Sequence, residues 1–243
     1  MFNFGKSIIK KTFRSIGVEV HGYNPTSSPT AQLVASLEQF EIDLVVDVGA
    51  NSGQFADGIR SGGYTGKIVS IEPLTNAHAK LTNASRNDAN WDVYQRCAVG
   101  DRNGEVTINI AGNSASSSLL PMLESHLKAA PHTAYIGEEI VPLLQLDSIT
   151  PEYFKAYKRP FLKIDTQGFE WQVLNGAANS LPYIQGALLE MSLIPLYEGQ
   201  HLWEDILVRM KEAGFTLWAL QPGFTDPING RTYQVDGIFY RTA

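Results

Sequence analysis

The sequence predicts an α/β fold in which a central, mostly parallel seven-stranded sheet carries helices on both faces and ends in an antiparallel C-terminal hairpin. Short, nearly continuous apolar runs alternate with helix-like stretches, which is typical of strands that are covered on both faces. The last two runs are joined by a Pro/Gly-rich connection that is too short for a crossover helix, so they should pair antiparallel. With 44% hydrophobic and 18% charged residues, the 243-residue chain can bury a substantial core.

The first half of the predicted domain consists of strands that end in turn or acidic residues. After a helix over 30–40, the apolar run 42–48 predicts a buried strand that leads through a glycine turn into a helix from about Gln54. The run 67–71 predicts the next strand, which Glu72-Pro73 ends because the residue before a proline is restricted. A helix over 75–87 follows.

The second half repeats this alternation. The remaining predicted strands lie near 92–98, 105–110, 161–164, 186–189, 215–220 and 235–241. The remaining predicted helices lie around 119–129, 170–175 and 200–213. A polar loop at 112–118 interrupts the series, and Asp165 and Glu190 each follow a buried strand.

We divide the chain into an N-terminal basic amphipathic or capping segment, 1–30, and a domain over 31–243. In the segment, basic and apolar side chains alternate so that Ile9, Phe13 and Ile16 share one helical face. This face could pack on the domain or on a partner subunit of a homo-oligomer, or attach weakly to an anionic membrane surface. No long apolar span is present, so stable membrane insertion is not expected.

Charge and cysteine content limit the partners that we expect. The formal net charge of −6 provides no basic field for phosphates, which disfavours nucleic acid and favours a small-molecule or saccharide acceptor. Cys97 is the single cysteine and cannot form an intramolecular disulfide. Together with the absence of a secretory h-region, this predicts a reducing, cytoplasmic location.

The turn after the first strand predicts a cofactor site. Gly49 and Gly53 have no Cβ, so the backbone there can approach a ligand closely, and the carboxylate of Glu72 could accept both ribose hydroxyls of an adenosine. In dinucleotide-binding turns a middle glycine makes room for the pyrophosphate, but Asn51 occupies that place. S-adenosylmethionine has no phosphate to seat and is the cofactor that we expect. The predicted cofactor-binding residues are Asp47, which orients the loop or contacts the amino group, with Gly49, Ala50, Asn51, Gly53, Phe55, Glu72, Pro73 and Ala98.

An ordered series of motifs runs along the chain: D-V-G-A-N-S-G at 47–53, I-E-P at 71–73, A-V-G at 98–100, S-S-S at 116–118, L-D at 146–147, L-K-I-D-T-Q-G-F-E at 162–170, V-L-N-G at 173–176, Glu190 and P-L-Y at 195–197. Over about residues 40–241, this series resembles the FkbM family of methyltransferases. The resemblance implies a class I methyltransferase fold, S-adenosylmethionine, and O-methylation of sugars, polyketides or related secondary metabolites. Many relatives carry Glu where this chain has Gln167, so no charged role is carried over to that position.

Asp165 and Glu190 are the leading catalytic candidates. In a doubly wound sheet the ligand crevice lies beyond the carboxyl ends of the strands, where both should stand on neighbouring strands. An apolar setting would raise the pKa of one of them toward that of a general base. His201 is the alternative base, unless it is a surface residue at a helix start. Lys163 should share a face with Asp165 and form an ion pair with it.

Several further roles stay open at this stage. Asp165 and Glu190 could hold Mg²⁺ as in catechol-type methyltransferases, although the acidic pair usual there is not reproduced around Glu190, so a metal is not favoured. Glu170 could complement a helix dipole or bind the acceptor. The loop from Ser114 to Ser118 and Tyr197 could line the acceptor pocket, or the loop could be exposed.

Three functions are compatible with these patterns. The first is an S-adenosylmethionine-dependent O-methyltransferase acting on a hydroxyl of a sugar, glycan precursor or secondary metabolite. The second is an NAD-dependent oxidoreductase of the Rossmann class, which the missing middle glycine and the antiparallel end disfavour. The third is a non-catalytic protein that keeps the cofactor-binding fold.

Overall fold

The computed structural model describes residues 11–242. The helices are α1 (Pro29–Gln39), α2 (Gln54–Ser61), α3 (Thr75–Ser85), α4 (Glu124–Ala129), α5 (Leu146–Ala156), α6 (Glu170–Asn175) and α7 (Trp203–Glu212). The strands are β1 (Leu44–Val48), β2 (Lys67–Ile71), β3 (Trp91–Val93), β4 (Ala98–Val99), β5 (Gly104–Ala111), β6 (Tyr135–Leu144), β7 (Pro160–Ile164), β8 (Gly186–Ser192), β9 (Thr216–Pro222) and β10 (Gln234–Tyr240). None of these helices is long and apolar enough to cross a membrane.

Seven strands form the central sheet in the order β3-β2-β1-β7-β8-β10-β9. The first five run parallel to one another, and β10 is antiparallel to both of its neighbours. The structure confirms the predicted fold class, including the antiparallel end. Because β1, β2, β7 and β8 are parallel, their carboxyl ends meet at one edge of the sheet.

The central strands are buried because their side chains pack into two hydrophobic cores, one on each face of the sheet. Every residue of β1 and β7 is buried, and successive side chains alternate between the two faces. Val46 and Leu162 pack on one face with Val173 of α6 and Met210 of α7. On the other face, Val45 and Phe161 pack with residues of α1 and α2. At roughly 1.5–3 kcal/mol for each fully buried large apolar side chain, these two layers provide the main stabilisation.

A second, three-stranded sheet in the order β4-β6-β5 was not predicted. The predicted strand over 92–98 divides here, since β3 pairs with β2 while β4 pairs with β6. The sequence of β6 did not predict a strand because it buries no continuous face, and Ile136 and Ile140 are exposed. Helix α5 was also missed, since Pro151 lies inside it. The helix predicted over 119–129 is shorter and begins only at Glu124.

The N-terminal segment is described only in part. Residues 11–14 are helical, and Phe13 and Ile16 are exposed. The rest of the predicted basic amphipathic helix, including Ile9, lies outside the described residues. The division at residue 30 stays a prediction.

Candidate active site

A cavity of about 380 Å³ lies across the carboxyl ends of the parallel strands. This is the position expected of a ligand in an open α/β sheet, and the volume is within the range of small-molecule sites. Eight of the predicted site residues line it: Gly49, Ala50, Asn51, Phe55, Glu72, Pro73, Ala98 and Asp165. The other four, Asp47, Gly53, Glu190 and His201, are not among its lining residues.

Lys163 connects β1, β7 and the glycine turn. Its Nζ lies 3.1 Å from Asp47 Oδ1 and 3.6 Å from Asp165 Oδ2, and it donates a hydrogen bond to the carbonyl oxygen of Gly49 at 2.9 Å. Burial alone would lower the pKa of Lys163, but the two carboxylates raise it above its ordinary value. Asp47, which is fully buried, therefore orients the turn through this cation, while Lys163 forms the ion pair with Asp165 that the sequence suggested.

The glycines of the turn are explained by packing against protein atoms. Gly49 has φ +76°, and a Cβ there would overlap the backbone carbonyl of Asp165. Gly53 has φ +98°, and a Cβ there would approach the ring of Trp91 to 2.8 Å. Both glycines therefore let the turn pack tightly beside β7 and β3. The close approach of this backbone to a ligand stays a prediction, and Gly49 lines the cavity.

Glu72 lies directly against the turn and is 4% exposed. Its Oε2 accepts a hydrogen bond from the backbone N–H of Asn51 at 2.8 Å, and its Oε1 accepts one from Leu74 at 2.9 Å. Burial raises the pKa of Glu72 to about 7, against the opposing effect of these two hydrogen bonds. Each carboxylate oxygen has a second lone pair, so the ionised side chain can still accept hydroxyl donors from the cavity.

Gln167 joins the two predicted catalytic carboxylates. Its Nε2 donates to Asp165 Oδ1 at 3.0 Å and to Glu190 Oε2 at 2.7 Å, while its Oε1 accepts from the Tyr197 hydroxyl at 2.7 Å. Gln234 also donates to Glu190 Oε2, at 2.8 Å. Burial, together with the charges of Asp165, Glu170 and Asp236, raises the pKa of Glu190 well above its usual range. The structure thus brings Asp165 and Glu190 together, with Asp165 facing the cavity.

Asp236 is a cavity residue that the sequence interpretation missed. It lies on β10 directly opposite Glu190 in the strand register, and it lines the cavity. Burial and the nearby charge of Asp165 raise its pKa to about 7. The signal that could have indicated it is a charged residue inside the otherwise apolar run 235–240.

The structure separates His201 from these carboxylates. Its ring stacks on Trp171 with centroids 4.0 Å apart, and its Nδ1 lies 3.1 Å from Asp205 on α7. His201 is thus partnered at the start of this helix, outside the cavity lining. Glu170 accepts hydrogen bonds from the backbone N–H groups of Thr166 and Gly168, so it shapes the loop after β7.

The loop at 112–118 covers the cavity and bridges its two sides. Asn51 Nδ2 donates to Ser114 Oγ at 3.0 Å, and the Ser118 hydroxyl donates to the backbone oxygen of Gln167 at 2.6 Å. Ser114 and Ser117 line the cavity, whereas Tyr197 is fully buried behind Gln167. The loop therefore connects the glycine turn to the segment that carries Asp165.

The arrangement around Asp165 and Glu190 does not fit a magnesium ion. Within residues 11–242, no group of three or more His, Cys, Asp or Glu side chains is arranged to hold a metal ion. Mg²⁺ requires oxygen ligands. The amide nitrogen of Gln167 donates to both carboxylates, and the hydrogen bond from Tyr197 to its Oε1 fixes this orientation.

The chain is similar to known proteins in sequence and in fold. A family model described as the methyltransferase FkbM domain matches residues 47–217. No curated protein matches the sequence significantly. A solved candidate RNA methyltransferase of Pyrococcus horikoshii is 13% identical, with a TM-score of 0.47 over 88% of this chain and 83% of that one. An rRNA methylase of Streptococcus thermophilus is 11% identical, with a TM-score of 0.47 over 89% of this chain and 98% of that one. Aeropyrum pernix fibrillarin, solved with bound S-adenosyl-L-methionine, is 11% identical, with a TM-score of 0.42 over 80% of this chain and 66% of that one.

Proposed function

Since the chain belongs to the FkbM family of methyltransferases and uses S-adenosylmethionine, we propose that it methylates a hydroxyl oxygen of a sugar, a glycan precursor or a secondary metabolite. The proposal rests on one observation, namely that Glu72 and Asp165 line the same cavity. A carboxylate suited to ribose hydroxyls thus shares one space with a carboxylate suited to remove a proton.

Glu72 and the glycine turn would hold the cofactor. The ionised Glu72 would accept the ribose hydroxyls. Gly49 and Ala50 line the same cavity. Lys163 keeps this wall in place through its hydrogen bond to the Gly49 carbonyl oxygen. When bound, S-adenosylmethionine supplies a methyl group activated by a sulfonium, so the protein needs no nucleophile of its own.

Asp165 is the group that we assign to the acceptor. Its side chain is 37% exposed and faces the cavity, and Lys163 and Gln167 hold its carboxylate in place. It would align the acceptor hydroxyl and accept the proton that this hydroxyl loses. Glu190 does not line the cavity and acts as a positioning residue, because it accepts the hydrogen bond that fixes Gln167.

The acceptor that we propose is a small molecule or saccharide and not a nucleic acid. The formal net charge is −6, which opposes a phosphate backbone. Among the described residues, Lys163 is the one cation that lines the cavity, and Asp47 and Asp165 already neutralise it.

Replacement of Asp165 tests this proposal. Asp165→Asn should lower methyl transfer from methyl-tritiated S-adenosylmethionine to a panel of hydroxylated sugars and alcohols by about 100-fold or more, the usual contribution of a general base. The affinity for S-adenosylhomocysteine should stay within roughly threefold of the unchanged protein, because Glu72 is untouched.

The matched control is Asp205→Asn. Asp205 is exposed on α7, so this variant makes the same substitution, Asp to Asn, outside the cavity. It should retain full activity. Full activity of Asp165→Asn, methyl transfer to nitrogen or carbon only, or no transfer by the unchanged protein across the panel would contradict the proposal.

A further inference from the structure

The cavity extends beyond the cofactor turn into a compartment on the opposite side of Asp165. Its walls are formed by residues of α1, α2, β8, β9 and β10, and β8, β9 and β10 lie on the other side of β7 in the sheet from β2, which Glu72 follows. We call it the acceptor compartment and define it by Leu33, Phe55, Ile59, Leu188, Gln221 and Asp236. The proposed function assigns no residue of this compartment.

The walls of the acceptor compartment are mainly apolar. Leu33, Ile59 and Leu188 are each at most 5% exposed, and Phe55 packs against the same core. Such walls favour a ligand with an apolar face, because contact removes apolar surface of both partners from water.

The polar groups of the compartment are hydrogen-bond acceptors. Gln221 uses its Nε2 to donate to the carbonyl oxygen of Pro29 at 2.9 Å and to Gln32 Oε1 at 3.0 Å, so its carbonyl oxygen is the group that it can offer a ligand. Asp236 and the neighbouring Asp165 offer carboxylate oxygens. A ligand with hydroxyl donors suits this set.

Above about pH 7, the pKa of Asp236, the ionised carboxylates of Asp236 and Asp165 make this end of the cavity negative. Asp236 lies opposite Glu190 in the sheet, and the charge of Asp165 acts on both side chains. The nearest cation, Lys163, makes its contacts to Asp47, Asp165 and the Gly49 carbonyl. A phosphate or carboxylate placed beside Asp236 would therefore meet like charge without a free cation to offset it.

From these contacts we propose that the acceptor compartment binds a hydroxylated acceptor with an apolar face and no anionic group, and that Asp236 excludes anionic acceptors. This inference rests on the proposed function and specifies its substrate class. It predicts that free or alkyl-linked polyols are accepted and that phosphorylated or carboxylated forms of the same molecules are rejected.

A matched pair of probes tests the charge selection. Hexyl β-D-glucoside and hexyl β-D-glucuronide differ only in a hydroxymethyl group against a carboxylate. Each is titrated into the protein saturated with S-adenosylhomocysteine at about pH 8.5, where Asp236 is ionised. The glucoside should bind roughly 10-fold or more tightly than the glucuronide. In Asp236→Asn the two affinities should differ by less than about threefold, while the Asp205→Asn control should keep the full preference.

Substitutions at Gly58 test where in the cavity the glucoside binds. Gly58 lies on α2 and lines the cavity, and a Cβ there would meet no heavy atom within 4 Å. Because a Cβ at this position meets open space, Gly58→Leu should narrow the cavity and lower glucoside binding by roughly 10-fold or more, with Gly58→Ala intermediate. Binding of S-adenosylhomocysteine should be unchanged.

The proposal would be overturned by equal or tighter binding of the glucuronide, by no saturable binding of the glucoside, or by unchanged glucoside binding in Gly58→Leu. An equal loss of S-adenosylhomocysteine binding in Gly58→Leu would also overturn it, because the compartment would then not be separate from the cofactor half. Methyl transfer is not measured, so the outcome is independent of whether the methyl group ends on oxygen.

Discussion

At the residue scale, the site depends on buried charges whose partners are specific. Asp47 is fully buried and is tolerated because Lys163 lies 3.1 Å away. Glu72 is also buried, but its nearest partners are two backbone N–H groups and not a cation. At Glu72 the effect of burial is the largest, and it raises the pKa to near neutrality. At Lys163 burial lowers the pKa, but the charges of Asp47 and Asp165 raise it by more.

This difference predicts that cofactor affinity depends on pH through Glu72. The carboxylate must be ionised to accept both ribose hydroxyls, and its pKa in the free protein is about 7. Affinity for S-adenosylhomocysteine should therefore be constant above this pH and fall about 10-fold for each unit below it. Isothermal titration between pH 5.5 and 8.5 measures this profile.

The Glu72→Gln variant provides the control. The amide can still accept one hydroxyl but has lost the charge, so its affinity at pH 8 should be about 10- to 100-fold lower. Its affinity should also no longer change with pH. An unchanged pH profile in Glu72→Gln would show that another group titrates and would remove Glu72 from the cofactor site.

The positions of Glu72 and Asp165 in the cavity lining could be predicted from sequence, because each directly follows an apolar run. The joining role of Gln167 could not. It depends on a left-handed backbone at φ +54° and on contacts with Tyr197 and Glu190, which lie 30 and 23 residues away. Side-chain directions of this kind are set by the folded loop and not by local spacing.

At the element scale, the junction between β1 and α2 is the tightest part of the site. The turn passes so close to the carboxyl end of β7 that Gly49 has no room for a side chain. Two separate constraints act at this position, namely its positive φ and its contact with the backbone of Asp165. The chain offers a way to separate them.

Gly199 is the matched position, since its φ is +71° and a Cβ there would meet no atom within 4 Å. Gly199→Ala should lower the free energy of unfolding by about 1 kcal/mol, the cost of the backbone conformation alone. Gly49→Ala carries the same cost and must also displace β7, so we expect a loss of about 3 kcal/mol. Urea unfolding followed by circular dichroism measures both. Equal losses would mean that the turn does not pack against β7 as described.

Sequence patterns predicted the elements of the central sheet far better than those of the smaller one. Strands β1 and β7 are buried on both faces and appear as unbroken apolar runs. Strand β6 carries exposed Ile136 and Ile140 and takes its stability from pairing with β5 along eight residue pairs. That pairing is a tertiary property, so the strand has no clear local signal.

At the scale of the whole molecule, the topology concentrates carboxylates at one edge of the sheet. Asp165 directly follows β7, and Glu190 lies in β8. Strand β10 lies between β8 and β9 and runs antiparallel to both, which places Asp236 opposite Glu190. The antiparallel hairpin could be predicted from the short connection. Its register could not, and so the acidic character of the acceptor compartment follows only from the folded chain.

A crystal structure of the protein with S-adenosylhomocysteine tests the central claim most directly. The account predicts density for the nucleoside in the cavity, with ribose hydroxyls about 2.6–3.2 Å from the Glu72 carboxylate and the sulfur directed toward Asp165. Density for the nucleoside elsewhere, or a ribose that makes no contact with Glu72, would contradict it.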